Sequence, residues 1–401
     1  MRHSTLLLTL SATSILCVAN PASADDWPTW RGADGSGVSS ETGWVVDGSN
    51  TPRWSKNLGL GYGSFVISDG RLITNGYDED GEHDVVYCLD AESGSELWTR
   101  NIPSGKHAKY HGGGTLSTPT IDGDNVYVLH REGRVLCLAL ADGTIKWQKN
   151  LAKTMDIEAP TWMFSASPLI MGDTLYINVG RTVAFDKSNG EMKWKTADTG
   201  HAYSTPHPIK AHGVDGLVVF NGDGVAIVNR KDGDIVATYP WKTQYDVNAA
   251  TPIVMDDKIF ISSAYNHGCA MLKFDGESLE AVWESKVMRN KMTGCVLWEG
   301  HLYGFDESIL KCIDLDGNEK WAQRGLGMGS LKAADGKLII NSDKGELIIA
   351  EATPEGFKAL KREPVLKGGV YWTMPVLANG LIYCRNSLGD VVCMDHRRSA
   401  D

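Results

Sequence analysis

The chain lacks the short motifs that mark the commonest enzymes. It has 8 cysteines in 401 residues, yet no two are adjacent and none form a Cys-x-x-Cys pair. A zinc site or a thioredoxin-type motif therefore has no support. The histidines show no metal-ligand spacing, and no Gly-x-Ser-x-Gly elbow accompanies the esterase-like loop His111-Gly112-Gly113-Gly114. The sequence therefore predicts no catalytic residue, no metal ligand and no resident cofactor.

Basic residues and prolines are also scarce. Lys and Arg number 39 against 50 Asp and Glu, which gives a formal net charge of −11. Such a surface repels phosphate backbones, so we expect no nucleic-acid partner. The 14 prolines stand beside 44 glycines and 13 tryptophans, a balance that favours a sheet-rich protein with many tight turns.

Only one long apolar run is present, and it lies at the N-terminus. Arg2 precedes the run 6–18, and the small-x-small site Ala22-Ser23-Ala24 follows it. This pattern predicts a signal peptide over residues 1–24, with export to the periplasm or the extracellular space. The run is too short to span a bilayer. A lipid anchor on Cys17 is the alternative, although the residues before it are large for an acylation site.

Seven cysteines would remain after export, and four of them recur at one place in a repeated strand. They are Cys88, Cys137, Cys312 and Cys393. Such recurrence is typical of a small buried apolar side chain. One disulfide among the seven is also compatible with the sequence, and its pairing is left open.

The strongest signal is an internal repeat. Aligning the segments similar to Ser117-Thr118-Pro119-Thr120-Ile121-Asp122-Gly123 produces a column in which every residue is small. The column consists of Ser64, Ser117, Ala166, Ser204, Ala250, Thr293, Ser330 and Thr373. Its mean spacing of about 44 residues matches the length of a four-stranded propeller blade.

Within each unit, short strands alternate with Asp-Gly or Asn-Gly turns, as at Asp142-Gly143. A tryptophan stands four residues after the turn glycine in four units, at Trp98, Trp147, Trp194 and Trp321. At this place on an outer strand, the indole is expected to pack between neighbouring blades. The pattern is weaker where Trp241 and Trp283 stand later, and Leu360 takes the place in the seventh unit.

The eighth unit contains only three predicted strands and lacks the strand that carries tryptophan. Near the other end, Trp54-Ser55-Lys56-Asn57-Leu58 repeats residues 147–151 with a single difference. We therefore predict an all-β fold, an eight-bladed β-propeller of four-stranded antiparallel blades whose last blade is closed by an N-terminal strand. The single propeller domain is expected over residues 51–399, after an N-terminal extension at 25–50.

The unit ending in Ala141-Asp142-Gly143-Thr144-Ile145-Lys146-Trp147 resembles the repeat of the pyrroloquinoline-quinone (PQQ) propeller family, and the opening Trp27-Pro28-Thr29-Trp30-Arg31-Gly32 is similar to the start of many exported PQQ-like repeat proteins. The resemblance covers residues 50–399. It implies either a quinone- and calcium-dependent dehydrogenase or a non-catalytic scaffold, such as the propeller lipoprotein of outer-membrane protein assembly. The adjacent cysteines of the alcohol-oxidising branch are missing here.

Loops entering the innermost strands of a propeller meet at the mouth of its channel, so the residues just before the small column are candidate ligand contacts. They are Tyr62, Tyr110, His111, Trp162, Phe164, His201, Tyr203, Tyr245, Asn248, Lys291, Met292, Met328, Tyr371 and Trp372. Aromatic residues at a mouth favour stacking on flat ligands, sugars or extended peptide. The competing interpretation is that they fill the channel and pack between blades.

We therefore expect an exported, monomeric, non-enzymatic scaffold that binds an envelope protein, peptide or glycan at this mouth. The alternative is a PQQ- and calcium-dependent dehydrogenase of alcohols or sugars, and a third possibility places the binding role on a side face. The acidic stretch 78–84 does not match a calcium loop and is interpreted as an exposed hairpin tip.

Overall fold

The structure is a computed structural model that describes residues 26–109, 111–201 and 203–398. The predicted signal peptide and Tyr110 lie outside the described residues. Strands account for nearly all of the regular structure, and one short helix, α1 (Leu151–Thr154), follows the second blade. In the described part of the chain, no helix is both long and apolar enough to cross a membrane.

Eight sheets surround a common axis, and the first strands of several neighbouring sheets contact each other. Two strands precede the first blade, β1 (Val38–Ser39) and β2 (Trp54–Asn57). Blades 1 to 4 comprise β3 (Val66–Ser68), β4 (Arg71–Asp78), β5 (His83–Asp90) and β6 (Glu96–Pro103); β7 (Thr120–Asp122), β8 (Asn125–Leu129), β9 (Arg134–Ala139) and β10 (Ile145–Asn150); β11 (Leu169–Met171), β12 (Thr174–Asn178), β13 (Thr182–Asp186) and β14 (Met192–Lys195); β15 (His207–Ala211), β16 (Val214–Asn221), β17 (Gly224–Asn229) and β18 (Ile235–Pro240).

Blades 5 to 8 continue the same order. They comprise β19 (Ile253–Met255), β20 (Lys258–Ser263), β21 (Gly268–Phe274) and β22 (Leu279–Ser285); β23 (Val296–Trp298), β24 (His301–Asp306), β25 (Ile309–Asp314) and β26 (Glu319–Gln323); β27 (Ser330–Ala334), β28 (Lys337–Asn341), β29 (Glu346–Glu351) and β30 (Ala359–Pro364); β31 (Val376–Ala378), β32 (Leu381–Arg385) and β33 (Asp390–Asp395), with β2 as the fourth strand. The eightfold fold predicted from the repeat is confirmed.

Closure of the ring is confirmed residue by residue. Trp54 pairs with Cys393, and Asn57 pairs with Asp390, in an antiparallel ladder between β2 and β33. A register shift follows the turn between the third and fourth strands in blades 1 to 7. The β2–β33 pairing has no such shift, because no turn connects these two strands. The first and last parts of the propeller are thus held together by non-covalent strand pairing.

Indole rings fill the junctions between blades. In six blades the indole Nε1 donates to a backbone carbonyl of the following blade at 2.7–3.0 Å, through Trp54, Trp98, Trp147, Trp194, Trp283 and Trp321. Trp283, which stands later in the sequence pattern, makes the same contact as the others. The small column is buried throughout, from Ala166 at 0% exposure to Thr293 at 5%.

Residues 26–46 cross the base of the ring, the end at which the innermost strands finish. Trp27 bridges Ile67 of blade 1, and β1 adds a parallel fifth strand to β27 of blade 7. Arg31 is fully buried on the way and donates to the carbonyls of Gly35, Ser36 and Cys295. The segment thereby connects blade 1 with blades 6 and 7.

Candidate binding funnel at the channel mouth

The mouth of the channel, where the innermost strands begin, contains a cavity of about 120 Å³ that we call the funnel. Six aromatic residues line it, namely Trp30, Tyr62, His111, Trp162, Tyr203 and Trp372. Five hydroxyl residues lie among them, namely Thr118, Ser165, Ser167, Thr205 and Thr251. The remaining lining is apolar and consists of Leu116, Val247, Ala249 and Met292.

Two pairs of aromatic rings form walls on opposite sides of the funnel. Tyr62 of the loop before blade 1 stacks on Trp372 before blade 8, with ring centroids 5.3 Å apart and planes inclined by 26°. Trp162 before blade 3 meets Tyr203 before blade 4 edge-on at 6.0 Å. His111 packs edge-on against Tyr62 at 5.5 Å. Flat aromatic surfaces therefore face a ligand from two directions.

Trp30 closes the funnel from below. Its indole enters from the base segment, and Nε1 donates to the Thr251 hydroxyl at 3.0 Å. Trp30, Thr205 and Thr251 also line a second cavity of about 370 Å³ at the base, so they separate the two spaces. The funnel consequently opens at the mouth and ends on an indole ring.

An arc of four buried hydroxyls lies at one level of the funnel, each one residue after the small column of blades 2 to 5. Thr118, Ser167 and Thr205 each accept a backbone N–H from the preceding blade, at 2.9–3.0 Å. Thr251 accepts the Trp30 indole instead. Within the described ranges none of the four donates a hydrogen bond, so each retains a hydroxyl hydrogen for a ligand.

The funnel is electrically neutral around pH 7. Burial, with a smaller contribution from Arg131, lowers the pKa of His111, so the imidazole is uncharged. Burial raises the pKa of Tyr203 to about 12. A cation, Lys291, lies at the rim, and its ammonium is 5.6 Å from the Trp372 ring centroid and 5.2 Å from that of Tyr265.

The structure brings only part of the predicted ring together. Tyr62, His111, Trp162, Tyr203 and Trp372 line the funnel with Met292, and Lys291 lies at its rim.

The other predicted residues lie elsewhere. Phe164 and Tyr371 are buried between blades, at 1% and 2% exposure. Asn248 is fully buried and donates to the carbonyls of Asn221 and Trp241. His201 is exposed, and Tyr245, which is 48% exposed and packs against Tyr265, does not belong to the funnel lining. Met328 does not belong to the funnel lining either.

Sequence reasoning missed the floor and the hydroxyl arc. The Trp27-Pro28-Thr29-Trp30 motif was visible, but no local pattern places its second indole 221 residues away, beside Thr251. The sequence does contain a signal for the arc, because its residues immediately follow the small column in four consecutive units. Its hydroxyls could have been proposed as channel-facing from the two-residue alternation of a strand.

The funnel does not fit the quinone cofactor of the dehydrogenases that share this repeat. PQQ is a tricarboxylate, and with calcium it requires cationic side chains and oxygen-rich ligands. The lining contains no Arg, Lys, Asp or Glu. Across the described residues, no group of three or more His, Cys, Asp and Glu side chains is placed to hold a metal ion.

The ring of eight blades, with an indole at most of the junctions between them, defines this protein as a β-propeller of the PQQ-like repeat class. A family model described as "Outer membrane protein assembly factor BamB" matches residues 45–197 and 81–323. The chain belongs to this family. Similar proteins include BamB of Escherichia coli strain K12, 25% identical over 361 residues covering 74% of this chain and 87% of the relative, and BamB of Salmonella typhimurium, 26% identical over 370 residues covering 75% and 89%.

Solved structures from both branches share the fold. BamB from Moraxella catarrhalis superposes with a TM-score of 0.64 at 15% identity, covering 88% of this chain and 99% of that one. The quinohemoprotein alcohol dehydrogenase from Comamonas testosteroni superposes with a TM-score of 0.69 at 12% identity, covering 94% and 81%. At such identities the similarity establishes architecture alone.

Proposed function

We propose that this protein is a non-enzymatic binding scaffold of the cell envelope that holds its ligand or partner in the funnel. The observation that carries the proposal is a neutral, aromatic, one-ended funnel on a rigid ring, with no charged residue in its lining. Aromatic walls and a few placed polar groups suit recognition of a ligand.

The family supports an assembly role. The relatives in E. coli and Salmonella are named outer membrane protein assembly factors, and this chain covers 87% and 89% of their lengths. We infer that the protein is exported and acts on an envelope protein, peptide or glycan as a monomer. The acidic composition opposes a nucleic-acid partner.

Comparative capture tests this function. Purified protein and a Trp372→Ala variant are immobilised and exposed to the same envelope extract, and the retained components are identified by mass spectrometry. We expect a discrete component that the wild-type chain retains and the variant loses, since Trp372 forms one wall with Tyr62. A Tyr245→Ala variant is the matched control, because Tyr245 is exposed but lies outside the funnel. Equal retention by all three proteins would contradict a role for the funnel.

The dehydrogenase alternative is tested on the same preparation. Adding PQQ with calcium should produce neither a quinone absorbance that survives gel filtration nor dye reduction with alcohols or sugars, because the lining offers the tricarboxylate no cation. Stoichiometric retention of the quinone together with turnover would overturn the scaffold proposal.

A further inference from the structure

The polar groups left over in the funnel are neutral hydrogen-bond donors. The arc supplies four hydroxyl hydrogens from Thr118, Ser167, Thr205 and Thr251, all in residues at most 8% exposed. Two more donors, the Tyr203 hydroxyl and the Trp372 Nε1, are buried and make no hydrogen bond of normal geometry with the described residues. A ligand that satisfies this set must carry several acceptor oxygens.

The aromatic walls add a second requirement. Tyr62 and Trp372 on one side and Trp162 and Tyr203 on the other present ring faces and edges, which favour C–H surfaces. The cavity of about 120 Å³ approaches the ~150 Å³ that accommodates a benzene ring. One ring-sized unit therefore fits between the walls and above the Trp30 floor.

The absence of charged side chains in the funnel restricts the class of ligand further. No cation lines the funnel, Lys291 reaches only its rim, and the chain carries a net charge of −11. A carboxylate or phosphate would lose its hydration in the funnel without gaining an ion pair. An extended peptide would bring backbone N–H groups, which can only donate, into a set that already has an excess of donors, whereas a sugar hydroxyl can also accept. Both classes are therefore disfavoured.

We propose that the funnel binds a neutral pyranose, as a free sugar or as the end unit of a glycan. The apolar C–H faces of the sugar pack on the aromatic walls, and its hydroxyl and ether oxygens accept from the arc. The inference rests on the proposed function, because it names the ligand of the same site.

Calorimetric titration and saturation-transfer NMR with glucose, N-acetylglucosamine and their linear trimers test the inference. We expect saturable binding that Tyr203→Phe weakens by about three- to tenfold, the effect of losing one hydrogen bond. This variant removes a hydroxyl without breaking a hydrogen bond of normal geometry within the protein. Trp372→Ala should weaken binding at least about tenfold, and Trp372→Phe should restore part of it. Tyr245→Phe is the control on the same face, and unchanged circular dichroism establishes that each variant is folded.

The outcomes separate this inference from the proposed function. Sugar binding that the Tyr203 and Trp372 variants leave unchanged would overturn it, because the sugar would then occupy another site. Absence of sugar binding, with envelope capture that still depends on Trp372, would overturn the sugar class and leave the scaffold function standing. Absence of both would overturn the two together.

Discussion

At the residue scale, the repeated glycine and the repeated tryptophan pack against each other across the junction between blades. The turn glycine of one blade lies against the indole of the preceding blade in five places, at Gly94, Gly143, Gly190, Gly233 and Gly317. At Gly143 the backbone has φ +69°, and an added Cβ would lie 2.5 Å from Cε3 of Trp98. Glycine is therefore required twice, by the left-handed backbone and by the packed ring.

Replacing Gly143 with alanine should separate these two requirements. We expect a loss of about 2–4 kcal/mol in unfolding free energy, which combines backbone strain with displacement of the Trp98 ring. Gly123→Ala is the matched control, because Gly123 also has a positive φ of +53° but nothing lies within 4 Å of its added Cβ. Urea titration of both variants measures the difference, and the control should lose about 1 kcal/mol of unfolding free energy. Equal losses would show that indole packing contributes nothing.

The recurring cysteine is explained by the side chains on either side of it. Cys137 pairs with Tyr127 on one neighbouring strand and with Trp147 on the other, and the two rings lie 6.1 Å apart. Blade 3 has Ala184 in the same place. A small side chain at this position therefore allows the rings to approach each other. All seven described cysteines are buried free thiols.

At the element scale, β2 differs from every other outer strand because no hairpin attaches it to its blade. Trp54 packs on Tyr383 with ring centroids 5.9 Å apart, and its Nε1 donates to Ala91 of blade 1. The strand therefore stabilises two junctions, within blade 8 and between blades 8 and 1. Its pairing also covers β33, which would otherwise be an exposed edge.

Trp54→Ala should test this closure against Trp147→Ala, which removes the equivalent indole from a hairpin-connected strand. Both should lose about 3–5 kcal/mol of unfolding free energy, as expected for a truncated core aromatic. Only Trp54→Ala should make residues 50–60 a site of rapid proteolysis, because β2 can detach while the rest of the ring persists. Equal protease resistance in the two variants would contradict a special role for the closing strand.

At the scale of the whole molecule, burial of many thiols links stability to alkaline pH. Burial raises the pKa of Cys88 to about 11 and the pKa values of Cys269, Cys384 and Cys393 to about 12. In the unfolded chain these thiols ionise near pH ~8.5. The folded state therefore retains protons that the unfolded state loses, and stability is complete below that pH and falls as pH rises above it.

We expect the unfolding free energy to fall between pH 8 and pH 10 by up to about 1.4 kcal/mol per pH unit for each such thiol. Urea titrations at half-unit intervals measure the slope. Cys393→Ala should reduce the slope of this decline by the contribution of one thiol. Alanine is a suitable replacement, because it occupies the equivalent place in blade 3 and does not ionise. A flat profile over this interval would show that the thiols are not protected in the folded ring.

The sequence by itself determined the number of blades, the closing strand and the indole junctions, because each depends on contacts that recur from one unit to the next and are encoded by spacing. Only the tertiary structure decided which loop residues share the funnel. Tyr62, Phe164 and Tyr371 all stand two residues before the small column, yet Tyr62 lines the funnel while the other two are buried between blades.

The floor of the funnel was also decided only by the tertiary structure. The base segment reaches Thr251 through Trp30 and Cys295 through Arg31, contacts that span more than two hundred residues. The loops before the blades differ in length, so the direction of each side chain depends on its neighbours in the assembled ring. Spacing records a repeated local geometry, whereas a site built from one residue of each of several blades is specified only when all of them have packed together.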